Sequence, residues 1–303
     1  MIIVAVIVTM NRPAELGRLL KAVSGQTQRL DSIVVVDNGR HDDTREAVCP
    51  YENVRYVPSR TNLGGAGGFI FGIMHALADG ADYVWLMDDD GVPEAEGCLQ
   101  LLVNAIETNS YDMVSPLIVD IEKPSELAFY HYRGREPIKR RTQLGDEAFL
   151  PQFANLFNGA LVRASSFQRY GLPRYELFFR GDETDFMYRL NRDGARFGTL
   201  CSAVFLHPSG APDTVPIMGG RYHAVIPSSS VARYYYYRNR GNLFREFFLP
   251  RAVLFDLVRY AWVFLIARRG DLKGFGNWAQ ATSLGFRRIF SSYRSGLPDH
   301  LER

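Results

Sequence analysis

Residues 82–91 read DYVWLMDDDG, an apolar run closed by three carboxylates and a glycine. The run has the length and the aromatic and β-branched character of a strand buried on both faces. Three acids at its end repel one another unless something positive holds them. Working outward, the same pattern recurs three times: IIVAVIV (2–8) is a continuous apolar run followed by Thr9, and SIVVVDNG (32–39) and VRYVPS (54–59) are apolar runs that end in polar residues. The segments between them are long enough for helices, and Pro13 opens one whose Leu16, Leu19, Leu20 and Val23 keep helical spacing. Doubly buried strands alternating with helices predict a parallel α/β sheet.

In an open parallel sheet the ligand sits beyond the carboxyl ends of the strands. The residues that close the strands therefore form one candidate site: Thr9 and Asn11, Asp37 and Asn38, Arg60 and Asn62, and Asp88 to Asp90. If strand alternation continues through the triplet, Asp88 and Asp90 share a side and suit a hard cation, while Asp89 faces elsewhere. The other reading is a helix N-cap cluster ahead of Pro93, although a cap needs one acid only. TNLGGAGGF (61–69) puts glycines at a strand-to-helix junction, where backbone N–H groups can approach phosphates; a flexible loop without ligand is the alternative. The glycine spacing and the loop's place after a later strand do not fit a dinucleotide fingerprint.

Further on, residues 120–153 carry VDIEKPSEL and a basic run, REPIKRR, expected as solvated loops. NLFNGALVR (155–163) and RFGTLCSAVFLHP (196–208) read as strands, the latter ending at His207. An isolated histidine is more often structural, but beside Asp90 it would complete an imidazole and carboxylate set suited to Mn²⁺ or Mg²⁺. GDETDFMYRLNRDG (181–194) reads as a helix closed by Gly194, whose Asp182, Glu183 and Asp185 either complement the helix dipole or include a proton acceptor. After about residue 228 the composition shifts, and YYYYRNR (234–240) opens a helical region. It is either a packed appendage or, through Arg238, Arg240 and Arg245, a contact for anionic head groups at a bilayer surface. The apolar stretch 252–267 is shorter than the roughly 20 residues needed to span a membrane, and it contains Asp256 and Arg259.

Composition excludes several classes. The 303 residues suffice for a large core, and 35 Lys+Arg against 33 Asp+Glu give no global attraction for nucleic acid. Cys49, Cys98 and Cys201 lie far apart without paired spacing, so neither a disulfide framework nor a zinc knuckle is expected. Reduced thiols, as in the cytoplasm, are the expectation; the leading residues lack the basic start and cleavage site of a signal peptide and read as a strand.

Jointly, VTMNR (8–12), VVDNG (35–39), NLGGAGGF (62–69), the aspartate triplet, DETDF (182–186) and the HP at 207–208 resemble family-2 glycosyltransferases of the GT-A fold. The resemblance covers about residues 2–210. Within that family the chain is most similar to the galactofuranosyltransferases of cell-wall galactan synthesis that act on a polyprenyl-diphosphate-linked rhamnosyl-N-acetylglucosamine primer. The resemblance implies an inverting, metal-dependent transfer from UDP-galactofuranose, with a rhamnosyltransferase using a dTDP sugar, or a noncatalytic sugar-nucleotide-binding scaffold, as alternatives. It implies donor contacts at Thr9, Asn11, Arg12, Asp37, Arg60, Asn62, Gly65, Asp88 and Asp89, with Asp37 at the uracil. Asp88, Asp90 and His207 would hold Mn²⁺ or Mg²⁺, with Asp89 behind them or facing the sugar. The family's usual Glu-Asp pair stands reversed here as Asp182-Glu183, and Glu183 is preferred as base over Asp182. The implied organisation is a catalytic domain at 1–228, with a nucleotide-sugar half (about 1–119) and an acceptor-side half (about 120–228), followed by a helical region at 229–303. That region would meet the inner face of the plasma membrane, making the protein peripheral. The oligomeric state stays open.

Overall fold

A computed structural model describes residues 1–39, 42–133, 136–209, 213–220 and 222–293. The chain divides into two compact units, residues 1–173 with 189–209, and residues 174–188 with 210–302.

The first unit is an α/β sheet. Strands β1 (Ile3–Thr9), β2 (Ser32–Asp37), β3 (Val54–Pro58) and β4 (Tyr83–Asp88) run parallel in the order β3-β2-β1-β4. All seven residues of β1 are buried, as its unbroken apolar run predicts for a central strand. The connections carry α1 (Pro13–Ser24), α2 (Asp42–Val48) and α3 (Gly64–Ala78). α1 buries the four residues that its spacing predicts, Leu16, Leu19, Leu20 and Val23. Beyond β4 come β5 (Val92–Pro93), α4 (Cys98–Asn109), β6 (Met113–Asp120), β7 (Glu126–Arg133), β8 (Glu136–Arg140), β9 (Phe149–Pro151), β10 (Asn158–Arg163), α5 (Ala164–Tyr170), α6 (Asp182–Arg192), whose residues 182–188 count with the second unit, and β11 (Phe197–His207). β10 joins the sheet antiparallel to β4 and β6, and β11 runs parallel to β6, so the path continues β4-β10-β6-β11-β5.

One expectation is corrected. The basic run is not a loop: β7 and β8 pair antiparallel, with Ile138 buried while Lys139 and Arg140 point to water. Lysine and arginine on an outer strand keep it soluble and discourage further pairing, so the charge run is also a strand edge. Arg135, within that run, lies outside the described residues.

The second unit holds a hairpin of β12 (Thr214–Ile217) and β13 (Tyr222–Val225), then α7 (Ser230–Glu246), α8 (Pro250–Ala261), a π-helical segment at Trp262–Ala267 and α9 (Leu272–Phe286). Its core is aromatic: Tyr237, Tyr260, Phe264 and Trp278 are buried together, and the rings of Tyr260 and Trp278 stack 5.1 Å apart. α7 and α9 touch backbone to backbone at glycines. A Cβ on Gly241 would stand 2.0 Å from the Thr282 carbonyl oxygen. Residues 294–303, which close the expected helical region, lie outside the described ones. Among the described residues no helix is long and apolar enough to cross a membrane.

Candidate active site

Register fixes where the strand ends stand. Thr9 pairs with Asp37, Asp37 with Pro58, and Val8 with Asp88, so the four parallel strands finish level with one another on one edge. The polar residues collected from the sequence lie in or just after those ends.

The triplet is shaped by partners, not by alternation. β4 stops at Asp88, and Asp89 and Asp90 sit in a turn, so strand periodicity does not set their directions. Asp89 is 4% exposed; it accepts the Thr9 hydroxyl at 2.6 Å and Arg12 Nη1 at 3.2 Å. Burial pushes its carboxyl pKa up, opposed by those two partners. Asp90 accepts Arg12 Nη1 at 3.0 Å, and its Oδ1 lies 3.1 Å from His207 Nε2. Burial would raise the Asp90 pKa, but the imidazole of His207 and the Arg12 guanidinium outweigh it and hold it down at about 2.

Local packing explains how residues so far apart in the chain meet. Gly91 lets the turn press on β11: a Cβ there would stand 2.3 Å from Phe205 Cε1. β5 then pairs antiparallel with β11, Val92 with Leu206 and Pro93 with Phe205, which sets Asp90 beside His207.

His207 carries the chemical information. Its Nδ1 is 2.6 Å from the Pro208 carbonyl oxygen, which can only accept, so Nδ1 bears the proton and Nε2 faces Asp90. In the neutral ring, Nε2 and Asp90 Oδ1 are two electron donors aimed at each other across 3.1 Å. That arrangement suits a cation or an imidazolium proton. Asp90 Oδ1 is shut off from solvent and has no well-aligned hydrogen bond. These two donors therefore fit a divalent cation. Among the described residues no three His, Cys, Asp or Glu side chains converge as a metal-binding group. Half-buried Asp88 closes β4, and a cation here would draw further ligands from substrate oxygens and water.

The remaining rim residues divide into exposed groups and braces. Asn11, at φ 58°, and Arg60 are exposed. Asp37 is fully buried and accepts the Gly39 N–H and the Tyr56 hydroxyl, each at 2.7 Å. Asn62 Oδ1 accepts the Gly64 N–H at 2.8 Å, starting α3, and Asn38 Nδ2 donates to the Gly64 carbonyl at 3.0 Å. Gly65 stands half-buried in the first turn of α3, where helix amides lack internal partners and favour anions. Two later glycines have another task. A Cβ on Gly68 would stand 2.7 Å from Val8 Cγ1, and one on Gly72 2.3 Å from Val6 Cγ1, so these positions seat α3 directly on β1.

In the second unit, the start of α6 carries the other candidates. Asp182 is 5% exposed, and burial pushes its carboxyl up to about 6 against bonds from the backbone N–H groups of Asp182 and Glu183. Glu183 is half-buried, and Asp185 is fully buried with Arg174 Nη1 at 3.5 Å. The loop leading into this helix is held by α7. Arg238 Nη2 donates to the carbonyls of Glu176 and Leu177 at 2.8 and 3.0 Å, and Asn239 Nδ2 to those of Leu177, Phe179 and Arg180 at 2.7, 3.0 and 2.7 Å.

This corrects the reading of YYYYRNR as a head-group contact at two of its cations. Arg238 is 1% exposed and bonded inward, and Arg240 is paired with buried Asp256. Exposed Arg245 donates to the Phe286 carbonyl at 3.0 Å. Sequence reasoning missed the braces Tyr56, Arg238 and Asn239. The i, i+4 spacing of Gly68 and Gly72 in an otherwise apolar helix was a readable sign of close packing.

Residues 4–171 match the sequence profile described as Glycosyl transferase family 2. The chain is 43% identical over 293 residues to galactofuranosyltransferase GlfT1 of Mycobacterium tuberculosis, covering 94% of this chain and 96% of that protein. It is 41% identical over 297 residues to GlfT1 of Mycolicibacterium smegmatis, covering 95% and 98%. Among solved structures it resembles GalNAc-T7 in complex with UDP, GalNAc and Mn²⁺, with a TM-score of 0.58, 16% identity, and coverage of 81% of this chain and 50% of the other. At that identity the likeness concerns the fold.

Proposed function

As a chain that belongs to glycosyl transferase family 2, the protein is a glycosyltransferase, and we propose that it moves galactofuranose from UDP-galactofuranose to a polyprenyl-diphosphate-linked rhamnosyl-N-acetylglucosamine acceptor in cell-wall galactan synthesis. Identity of 43% and 41% over nearly the whole length of two galactofuranosyltransferases supports the donor and the pathway. The observation that carries the chemistry is the meeting of Asp90 Oδ1 and His207 Nε2 at the carboxyl edge of the parallel strands.

In this reading Thr9, Asn11, Arg12, Asp37, Arg60, Asn62, Gly65, Asp88 and Asp89 make the donor site. Asn11, Arg60 and the first turn of α3 meet the nucleotide; Asp37 and Asp89, both buried, hold the loops behind it. Asp90 and His207, with Asp88 at the strand end, would hold Mn²⁺ or Mg²⁺. Bound there, the cation supplies positive charge to the diphosphate leaving group. Arg12 adds a cation next to that pair. At α6, Glu183 takes the proton of the acceptor hydroxyl as it attacks the far face of the anomeric carbon, so configuration inverts. Asp182, more buried and bonded to backbone amides, is the second candidate and holds the helix start.

Residues 1–228 form the catalytic part in this proposal, and 229–303 the part that meets the cytosolic leaflet and the lipid-linked acceptor. Its support is the set of exposed apolar residues Leu254, Leu257, Val258, Ile266 and Leu272, interspersed with the exposed cations Arg251, Arg268 and Arg269.

The test is incubation with a panel of nucleotide sugars and a synthetic lipid-linked disaccharide, followed by mass and linkage analysis. UDP-galactofuranose is expected to extend the acceptor. Turnover of dTDP-rhamnose in its place overturns the donor assignment. Glu183→Gln is expected to lose turnover while UDP binding persists.

A further inference from the structure

The second unit contains a cavity of about 700 Å³ that the transfer chemistry leaves unused, lined by residues of α7, the π-helical segment and Arg268 after it, α9 from its start to Leu284, and the segment 291–293. Three cations line it, Arg233, Arg268 and Lys273, against one carboxylate, Asp271. That carboxylate is engaged as the cap of α9, where it accepts the Gly274 N–H at 2.8 Å. The N-terminal end of a 15-residue helix thus opens on the cavity and adds positive potential. Lys273 has no acidic partner within 4.0 Å among the described residues. Arg268 lies over the Phe264 ring at 5.3 Å, and its Nη1 is 4.0 Å from Asp271.

A second, independent feature points into the same space. Tyr237 is 3% exposed and lines the cavity, yet its hydroxyl has no hydrogen-bond partner. A buried hydroxyl without a partner is costly unless a ligand or water completes it. The amides of Asn277 and Gln280 supply further polar groups. Exposed apolar side chains adjoin lining residues in the chain: Leu272, 74% exposed, stands between Asp271 and Lys273, and Ile266, 58% exposed, lies two residues before Arg268.

We infer that this cavity binds the head group of a prenyl diphosphate, the phosphates meeting Arg268, Lys273 and the start of α9, and the chain lying along Ile266 and Leu272. Anion recognition beside exposed apolar side chains is what an amphiphilic diphosphate requires, whereas a free nucleotide would leave the apolar rim uncovered. That this ligand is the tail end of the glycosyl acceptor rests on the transfer reading; the cavity itself does not.

Calorimetry on the full chain tests it, with saturating UDP and Mn²⁺ occupying the donor edge and farnesyl diphosphate or inorganic pyrophosphate as titrant. Farnesyl diphosphate is expected to bind about tenfold more tightly than pyrophosphate, and the double variant Arg268→Glu, Lys273→Glu to bind it at least about tenfold more weakly. Tyr237→Phe removes one unpartnered atom; it should fold as the parent does and weaken binding several-fold. UDP affinity of each variant is the folding control. Undiminished binding by the double variant, or no binding to the parent, overturns the assignment. So does displacement of farnesyl diphosphate by phosphatidylglycerol vesicles alone, which would make the cavity a site for bulk lipid. Because the readout is binding, failure here leaves the transfer assay standing, and failure of that assay leaves this measurement legible.

Discussion

Two polar clusters that look alike in the sequence do opposite work. The acids after β4 close a parallel strand, so their backbone ends at the carboxyl edge of the sheet; Asp90 keeps a buried oxygen facing an imidazole there. The Arg-Asn pair in α7 lies mid-helix within an aromatic run, and both side chains turn inward to carbonyls at 176–180. A charged group flagged by composition meets an imidazole at a strand end and backbone carbonyls inside a helix bundle. The difference is whether the backbone beside it still has unpaired polar atoms to satisfy.

That contrast is open to measurement, beginning with the largest effect. Asp90→Ala should cost activity far more than fold: a loss of about 10²–10³ in kcat in a nucleotide-sugar transfer assay, with only a modest fall in the urea midpoint from the lost Arg12 and His207 contacts that hold its carboxyl at about 2. A large fall in stability would mean that Asp90 is a brace like Arg238. The converse substitution, Arg238→Ala, strands the carbonyl of Glu176, takes one donor from that of Leu177, which Asn239 still meets, and should lower stability by about 2–4 kcal/mol in urea unfolding, with UDP affinity preserved. A variant that unfolds like the parent would put the arginine among the ligand-facing groups.

Asp182 gives a smaller, pH-dependent effect. Burial raises its folded pKa to about 6, above the unfolded carboxylate value. A raised folded value stabilises the protein below the unfolded pKa, and that stabilisation is lost as pH climbs through about 6. Thermal midpoints should therefore decline between about pH 4 and 6 because of this group, and Asp182→Asn should flatten the decline. Smallest is Gly72→Ala, whose Cβ meets Val6 at 2.3 Å; about 1–3 kcal/mol of overpacking is expected by calorimetry, without change in metal-dependent UDP binding.

Much of the rim was legible because strand ends are set by hydrophobic runs. Thr9, Asp37 and Asp88 close runs whose burial the sequence displays openly. What was not legible depends on contacts made across the chain. The alternation argument for the triplet failed because β4 stops at Asp88, and the directions of Asp89 and Asp90 come from Thr9, Arg12 and His207. The bracing of Asp37 by Tyr56 depends on β2 and β3 lying side by side, which spacing alone does not reveal. The strand at 136–140 was hidden by its charges, since only Ile138 of its side chains is buried.

The short pairing of β5 with β11 has a consequence for synthesis. Asp90 emerges from the ribosome more than a hundred residues before His207, the residue that faces it. At ordinary elongation rates that interval is on the order of ten seconds. The nascent chain can thread its first four strands together in that time, but its Asp90–His207 pair stays incomplete until the last strand of the sheet is delivered. On the proposed reading of this pair, catalytic competence is thereby deferred to a late stage of translation.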